Sequence, residues 1–337
     1  MNKKAITAVI KRMGFVVLAS FALVGLWFTM YQCQVSQAGK KVRAIESTRT
    51  YDKDLGWNLP HGRPIFMVDP NNSRTLFFFE GFRGQIGAGQ YRDWFEELYT
   101  KHNINVIAPI VGVQGYAFDL RNREWDYVED MRTALQIYEA YTAALPASHR
   151  VYVASMSFGA LANATIAAKA SRKPDGIMFV SPLNKGLDYR SQNPIVAWLS
   201  TQVEWLRFLL PYQMRGRNKA RATLWDIVND EKNVAIFKRY GEGMVNPEEN
   251  LAQAAEVALA RNFLQDALLP QISGIPFLVL AGDSDLYFNQ EGFTQFAEIL
   301  SKKNSGSLLV LKDTGHMVLL DNGAEEAQKA MLALMQN

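Results

Sequence analysis

Residues 151–170 read VYVASMSFGALANATIAAKA, and this stretch decides the fold. A run of branched and small residues stops at Ser157, and a helix-forming stretch begins at once. A serine at such a junction is either a helix cap or a nucleophile on a sharp strand-to-helix turn. The turn needs small residues two places before and two places after the serine, because strand and helix approach closely there. Ser157 has Ser155 before it and Gly159 after it. Ser155 would have the branched Val153 before it, so Ser157 is the candidate. The pattern is S-x-S-x-G, with a serine where a nucleophile elbow ordinarily carries glycine.

Working outward, the chain alternates between two periods. Strand-like runs fall at 65–68, 75–82, 104–110, 150–155, 176–182, 276–282 and 307–313. Most are almost unbroken apolar runs, the pattern of strands covered on both faces. Helical stretches lie between them at 91–102, 124–145, 158–170, 293–303 and 325–336. Strand–helix alternation predicts an α/β fold, a mostly parallel sheet flanked by helices. Residues 183–269 contain no convincing strand and are read as a helical cap inserted over the carboxyl edge of the sheet. The expected organisation is a membrane segment over 1–33, a linker over 34–59, a core formed by 60–182 with 270–337, and the cap between them.

The partners of Ser157 follow from order. In a serine, acid, histidine sequence the histidine comes last. Of four histidines, His61, His102 and His149 precede Ser157, which leaves His316, placed just after the last strand-like run. The acid should follow the preceding strand, where GDSD offers Asp283 and Asp285, and spacing leaves both eligible. The carboxylate's task is to hold the imidazole tautomer and stabilise the imidazolium. Two backbone N–H groups must face the developing oxyanion. One is expected from Phe158, and the other from the glycine-bearing stretch after residue 80 (Gly81, Gly84, Gly87 and Gly89).

On the elbow, AGDSD and TGH, the chain resembles the α/β-hydrolase superfamily over roughly residues 60–335. It is similar in particular to capped monoacylglycerol lipases, lysophospholipases and related serine hydrolases. That resemblance implies Asp285, by its spacing from Gly282, as the acid. It implies the Phe82 N–H as the second oxyanion donor. The family usually carries His-Gly-x at this place and this chain has Glu80-Gly81-Phe82, a departure. The reaction implied is hydrolysis of carboxylic esters through an acyl-enzyme, on lipid-like esters such as monoacylglycerols or lysophospholipids. The alternatives are acyl transfer, thioester or amide cleavage with the same triad, and an inactive membrane-tethered binding domain.

Charge and composition set the surroundings. Hydrophobic residues make up 48% of the 337 and charged residues 20%, a globular composition. The net charge of +3 is local. Residues 1–31 hold Lys3, Lys4, Lys11 and Arg12 and no acid, and the remaining chain is close to neutral. A nucleic-acid partner is therefore not expected. Cys33 is the one cysteine, so neither an internal disulfide nor a thiolate metal site is expected, and no cofactor motif is present. Gly14 to Tyr31 is uncharged and follows four basic residues, which predicts a single N-terminal span with the hydrolase domain outside the cytoplasm. The small residues Ser36-Gln37-Ala38 offer a cleavage site that would release a secreted form. In the cap, the apolar positions Val196, Leu199, Val203, Leu206 and Leu210 suit either an acyl-chain roof or simple packing on the sheet.

Overall fold

A computed structural model describes residues 64–81, 91–109, 111, 127–186 and 260–336, with residues 18–20, 22, 23, 25 and 26 of the N-terminal segment. Among the described residues seven strands are present, one in each of the seven apolar runs: β1 (Ile65–Met67), β2 (Arg74–Phe79), β3 (Ile104–Ala108), β4 (Arg150–Met156), β5 (Gly176–Val180), β6 (Phe277–Gly282) and β7 (Gly306–Leu311). They form one sheet in the order β1-β3-β2-β4-β5-β6-β7. β1 pairs with β3 antiparallel and every other pair is parallel. β4 lies at the centre of the sheet, with Phe79 opposite Ser155 on one side and Val180 opposite Met156 on the other.

Continuity of the apolar runs has a direct cause. Successive side chains of a strand point to opposite faces, and both faces here are covered. Phe77 and Phe79 enter one core with Tyr138, Phe179 and Phe296, while Leu76 and Phe78 enter the other with Trp94, Phe95 and Met331. The first core lies under α2 (Tyr127–Thr142), α3 (Ala160–Lys169) and α4 (Gln290–Ser301); the second lies under α1 (Arg92–His102) and α5 (Ala324–Gln336). Helix ends follow local rules: α1 stops where Asn103 turns left-handed and returns its N–H to the Leu98 carbonyl, and the Asn289 side chain caps α4 by accepting from the Gly292 N–H.

Of the predicted cap, residues 183–186 and 260–269 are described, and the rest lies outside the described residues. Its two roots meet: the Lys185 N–H donates to Gln265 Oε1, and the Lys185 ammonium pairs with Asp266. Residues 260–271 are helical, passing through a wider turn at Leu264–Leu268. The described residues of the N-terminal segment are helical, and among the described residues no helix is long and apolar enough to cross a membrane.

Candidate active site

Three sequence-predicted side chains converge on the carboxyl edge of the sheet. Ser157 follows β4 directly, Asp285 follows β6 by three residues, and His316 follows β7 by five. Parallel neighbours bring all their carboxyl ends to one edge, so the order β4-β5-β6-β7 places these loops side by side.

Ser157 opens a tight turn, Ser157–Gly159, and takes a positive φ of 48°. That conformation costs a serine roughly 1–3 kcal/mol and persists only where surrounding structure imposes it. The imposition is steric. A Cβ on Gly159 would lie 2.2 Å from the Phe79 carbonyl oxygen and 2.6 Å from that of Glu80, so only glycine lets α3 start against the end of β2. From the other side the Leu183 N–H donates to the Ser157 carbonyl at 3.0 Å.

The serine at the first small position has its own support. Ser155 is fully buried and its Oγ accepts from Asn163 Nδ2 at 3.1 Å. The same Nδ2 reaches the Met178 carbonyl at 2.8 Å. A hydroxyl in place of glycine thus fits because a buried amide one helical turn into α3 is there to meet it. Asn163 is the residue that sequence reasoning missed. Its signal was the one amide side chain in the small, largely apolar run ALANATIAAK.

His316 is 5% exposed and its Nδ1 lies 2.8 Å from Asp285 Oδ2. With Asp285 ionised, Nδ1 carries the proton and donates it, which leaves Nε2 as the basic nitrogen. Asp285 has a side chain with no exposure, and its other oxygen accepts the Tyr287 and Phe288 N–H groups at 2.7 and 3.1 Å. The rings of those residues flank the imidazole, with centroids 4.9 and 5.7 Å from it. The carboxylate is therefore fixed by its own turn and the imidazole is fixed by the carboxylate and two aromatic rings.

Asp283, the other eligible acid, does a different job. Its Oδ1 accepts from Ser284 Oγ at 2.9 Å and from the Thr314 N–H at 3.3 Å, tying the β6 loop to the β7 loop. Burial pushes its carboxyl up, but the hydrogen bonds from Ser284, Asp313 and Thr314 and the nearby Lys312 outweigh that and hold it below the usual carboxylate range. The two loops also touch through backbone: a Cβ on Gly282 would lie 2.1 Å from the Thr314 carbonyl oxygen. A third carboxylate, Asp321, accepts the Gly315 N–H at 2.6 Å and so braces the residue before His316.

Ser157 Oγ makes no hydrogen bond among the described residues, and its hydroxyl stands at the edge with the Asp285–His316 pair two and three strands away. Phe158, the first expected oxyanion donor, is buried immediately after it. Phe82, the second expected donor, lies outside the described residues. Among the described residues no group of three or more His, Cys, Asp or Glu side chains could hold a metal ion.

A model of the alpha/beta hydrolase family matches residues 87–329. The chain belongs to that family. Solved structures agree in fold across most of its length. A monoacylglycerol lipase from Paleococcus ferrophilus superposes with a TM-score of 0.58 at 16% identity, covering 81% of this chain and 98% of that one. A soluble variant of monoglyceride lipase from Saccharomyces cerevisiae, solved with a substrate analogue, gives 0.59 at 12% identity over 81% and 91%. A thermostable carboxyl esterase from Bacillus coagulans gives 0.57 at 14% identity over 78% and 89%. No curated protein sequence matches the chain.

Proposed function

We propose that this alpha/beta hydrolase cleaves carboxylic esters through an acyl-enzyme. The observation that carries the reading is the buried Asp285–His316 pair at 2.8 Å on the edge where Ser157 holds a positive φ. Ser157 Oγ attacks the acyl carbon and passes its proton to His316 Nε2. The C–O bond to the alcohol breaks as that proton is delivered to the leaving oxygen. Water, deprotonated by the same nitrogen, then frees the acid and restores the serine. The N–H groups of Phe158 and Phe82 receive the oxyanion in both steps.

The proposed substrate is a lipid-like ester, a monoacylglycerol or lysophospholipid. Support comes from the apolar positions of the cap sequence and from monoacylglycerol lipases among the proteins of like fold. A membrane anchor at Gly14–Tyr31, with the hydrolase domain outside the cytoplasm, fits the same substrate. Leu18, Leu23 and Leu26 are exposed on a helix there, 61–70% of each, as apolar side chains meant for another phase would be.

A fluorophosphonate probe, which needs an activated serine and no knowledge of substrate, tests the reaction. Wild-type protein is expected to label at Ser157, read by peptide mass, and absence of labelling defeats the proposal. Hydrolysis of monoacylglycerol micelles against a water-soluble short ester tests the substrate class. Retention in carbonate-washed membranes tests the anchor.

A further inference from the structure

Glu80 is 1% exposed, stands where relatives of this fold usually carry histidine, and has no part in the reaction as written above. A buried carboxylate is costly unless donors converge on it. Two do. The Gly81 N–H donates to Oε1 at 2.9 Å, and the Tyr91 hydroxyl lies 3.3 Å from the same oxygen. The Tyr91 hydroxyl also lies 3.1 Å from Met156 Sδ.

These contacts bracket the serine. A Cβ on Gly81 would sit 3.0 Å from Ser157 Cβ and 3.6 Å from Ser157 Oγ, so the Gly81 backbone lies against the nucleophile. The Glu80 carbonyl lies against Gly159 on the far side of the turn. Met156 is the residue immediately before Ser157. The carboxylate therefore holds the Gly81 backbone on one flank of the turn and the phenol touches the Met156 side chain on the other, the phenol itself being fixed by Phe78 and Phe95, whose ring centroids are 5.3 and 5.8 Å away.

We infer that Glu80 is a positioning residue: through Oε1 it fixes the Gly81 peptide against Ser157 and so sets how fast the serine is acylated. The inference rests on Ser157 being the nucleophile. It commits to the acceptor oxygen, not to the negative charge, because the Gly81 N–H and the Tyr91 hydroxyl both end on one atom that a glutamine also possesses. Misplacing a reacting group or an oxyanion donor by a fraction of an ångström is enough to slow the chemical step by about tenfold or more, with little effect on substrate affinity.

The test is the rate of fluorophosphonate acylation per folded molecule, together with kcat and KM on a nitrophenyl ester, for wild type, Glu80→Ala, Glu80→Gln, Tyr91→Phe and Ser157→Ala. Expected are a loss of about tenfold or more for Glu80→Ala, a loss of about two- to fivefold for Tyr91→Phe, and a rate within about threefold of wild type for Glu80→Gln. KM should stay within about twofold for the Glu80 and Tyr91 variants. A merely structural Glu80 would lower the folded fraction and leave the rate per folded molecule alone. Acylation of folded Glu80→Ala at the wild-type rate, with Ser157→Ala silent, overturns the inference while leaving the nucleophile in place. Glu80→Gln as slow as Glu80→Ala also overturns it, since charge and not the acceptor would then matter. If Glu80→Ala does not fold, Tyr91→Phe at the wild-type rate overturns it. Labelling of Ser157→Ala would instead remove the nucleophile reading itself.

Discussion

The two halves of the carboxyl edge are built on different physics. Around Ser157 the backbone is shaped by exclusion: a positive φ, a glycine at 159 with carbonyl oxygens where a Cβ would be, and a peptide at Gly81 pressed on the serine. Around His316 the backbone is shaped by acceptors: Asp283, Asp285 and Asp321 each take N–H groups from the loops after β6 and β7. The first half should fail when atoms are added and the second when oxygens are taken away. Under the proposed mechanism, such an edge would combine a nucleophile that must not move with a base whose orientation depends on a carboxylate.

The largest expected effect breaks the chemistry on both sides equally. Ser157→Ala should abolish ester hydrolysis and probe labelling with the melting temperature kept or slightly raised, since a residue held at positive φ is relieved of nothing but a hydroxyl. Asp285→Asn should lose up to about 10⁴ in kcat, because the amide leaves the imidazole in the wrong tautomer. Residual activity of Asp285→Asn near the wild-type level would show that another group orients His316.

Gly159→Ala sharpens the contrast next. A methyl 2.2 Å from the Phe79 carbonyl oxygen has no flexible neighbour to displace, so β2 or α3 must shift. The expected cost is about 3 kcal/mol or more, read as the urea midpoint. The matching change on the acceptor side is milder. Asp283→Ala leaves the Thr314 N–H without its carboxylate in a partly wet loop, for a cost of about 1 kcal/mol and a loss in kcat of less than tenfold. If the two costs came out reversed, the division between exclusion and acceptance would be wrong.

How much of this was legible in the sequence differs between the same two halves. The five inner strands, β2 to β6, were visible because two-face burial writes continuous apolar runs, and the half-exposed edge strands β1 and β7 were visible as short apolar runs. The serine was visible because steric exclusion demands small residues at fixed offsets, which a sequence records directly. The antiparallel direction of β1 was not, since a three-residue edge strand carries no information on direction. The acceptor half was only half readable. Asp283 and Asp285 are equivalent in composition and sit in one turn, and what separates them is the direction each side chain takes. Asp285 turns back to the Tyr287 and Phe288 N–H groups and meets His316, whereas Asp283 reaches forward to Thr314. The partners of Asp321 and Asn163 were not readable for the same reason, since the Gly315 N–H, the Ser155 hydroxyl and the Met178 carbonyl are met only through the direction each side chain takes.

The smallest expected effect lies at the opposite, amino edge of the sheet and tests whether the carboxyl edge is special in tolerating charge. His149 is buried there, with Nε2 2.8 Å from Thr75 Oγ1, the Tyr141 hydroxyl beyond it, and the Arg172 guanidinium donating to its carbonyl. Burial first, and Arg172 second, hold its pKa below the ordinary histidine value, against a smaller opposing pull from Asp175. The folded state thus binds the proton less readily than the unfolded chain. Its contribution to stability is full above the unfolded pKa near 6.5 and is lost as pH falls toward the lower folded value. Wild-type protein should accordingly lose more melting temperature between pH 7 and pH 5 than His149→Gln, whose amide keeps a partner for Thr75 and cannot charge. Thermal melts in matched buffers read this, and parallel slopes for the two proteins would contradict it. Turnover per folded molecule at 25 °C should be the same in both at each pH, because His149 and the carboxyl edge lie at opposite ends of the strands and share no hydrogen bond among the described residues.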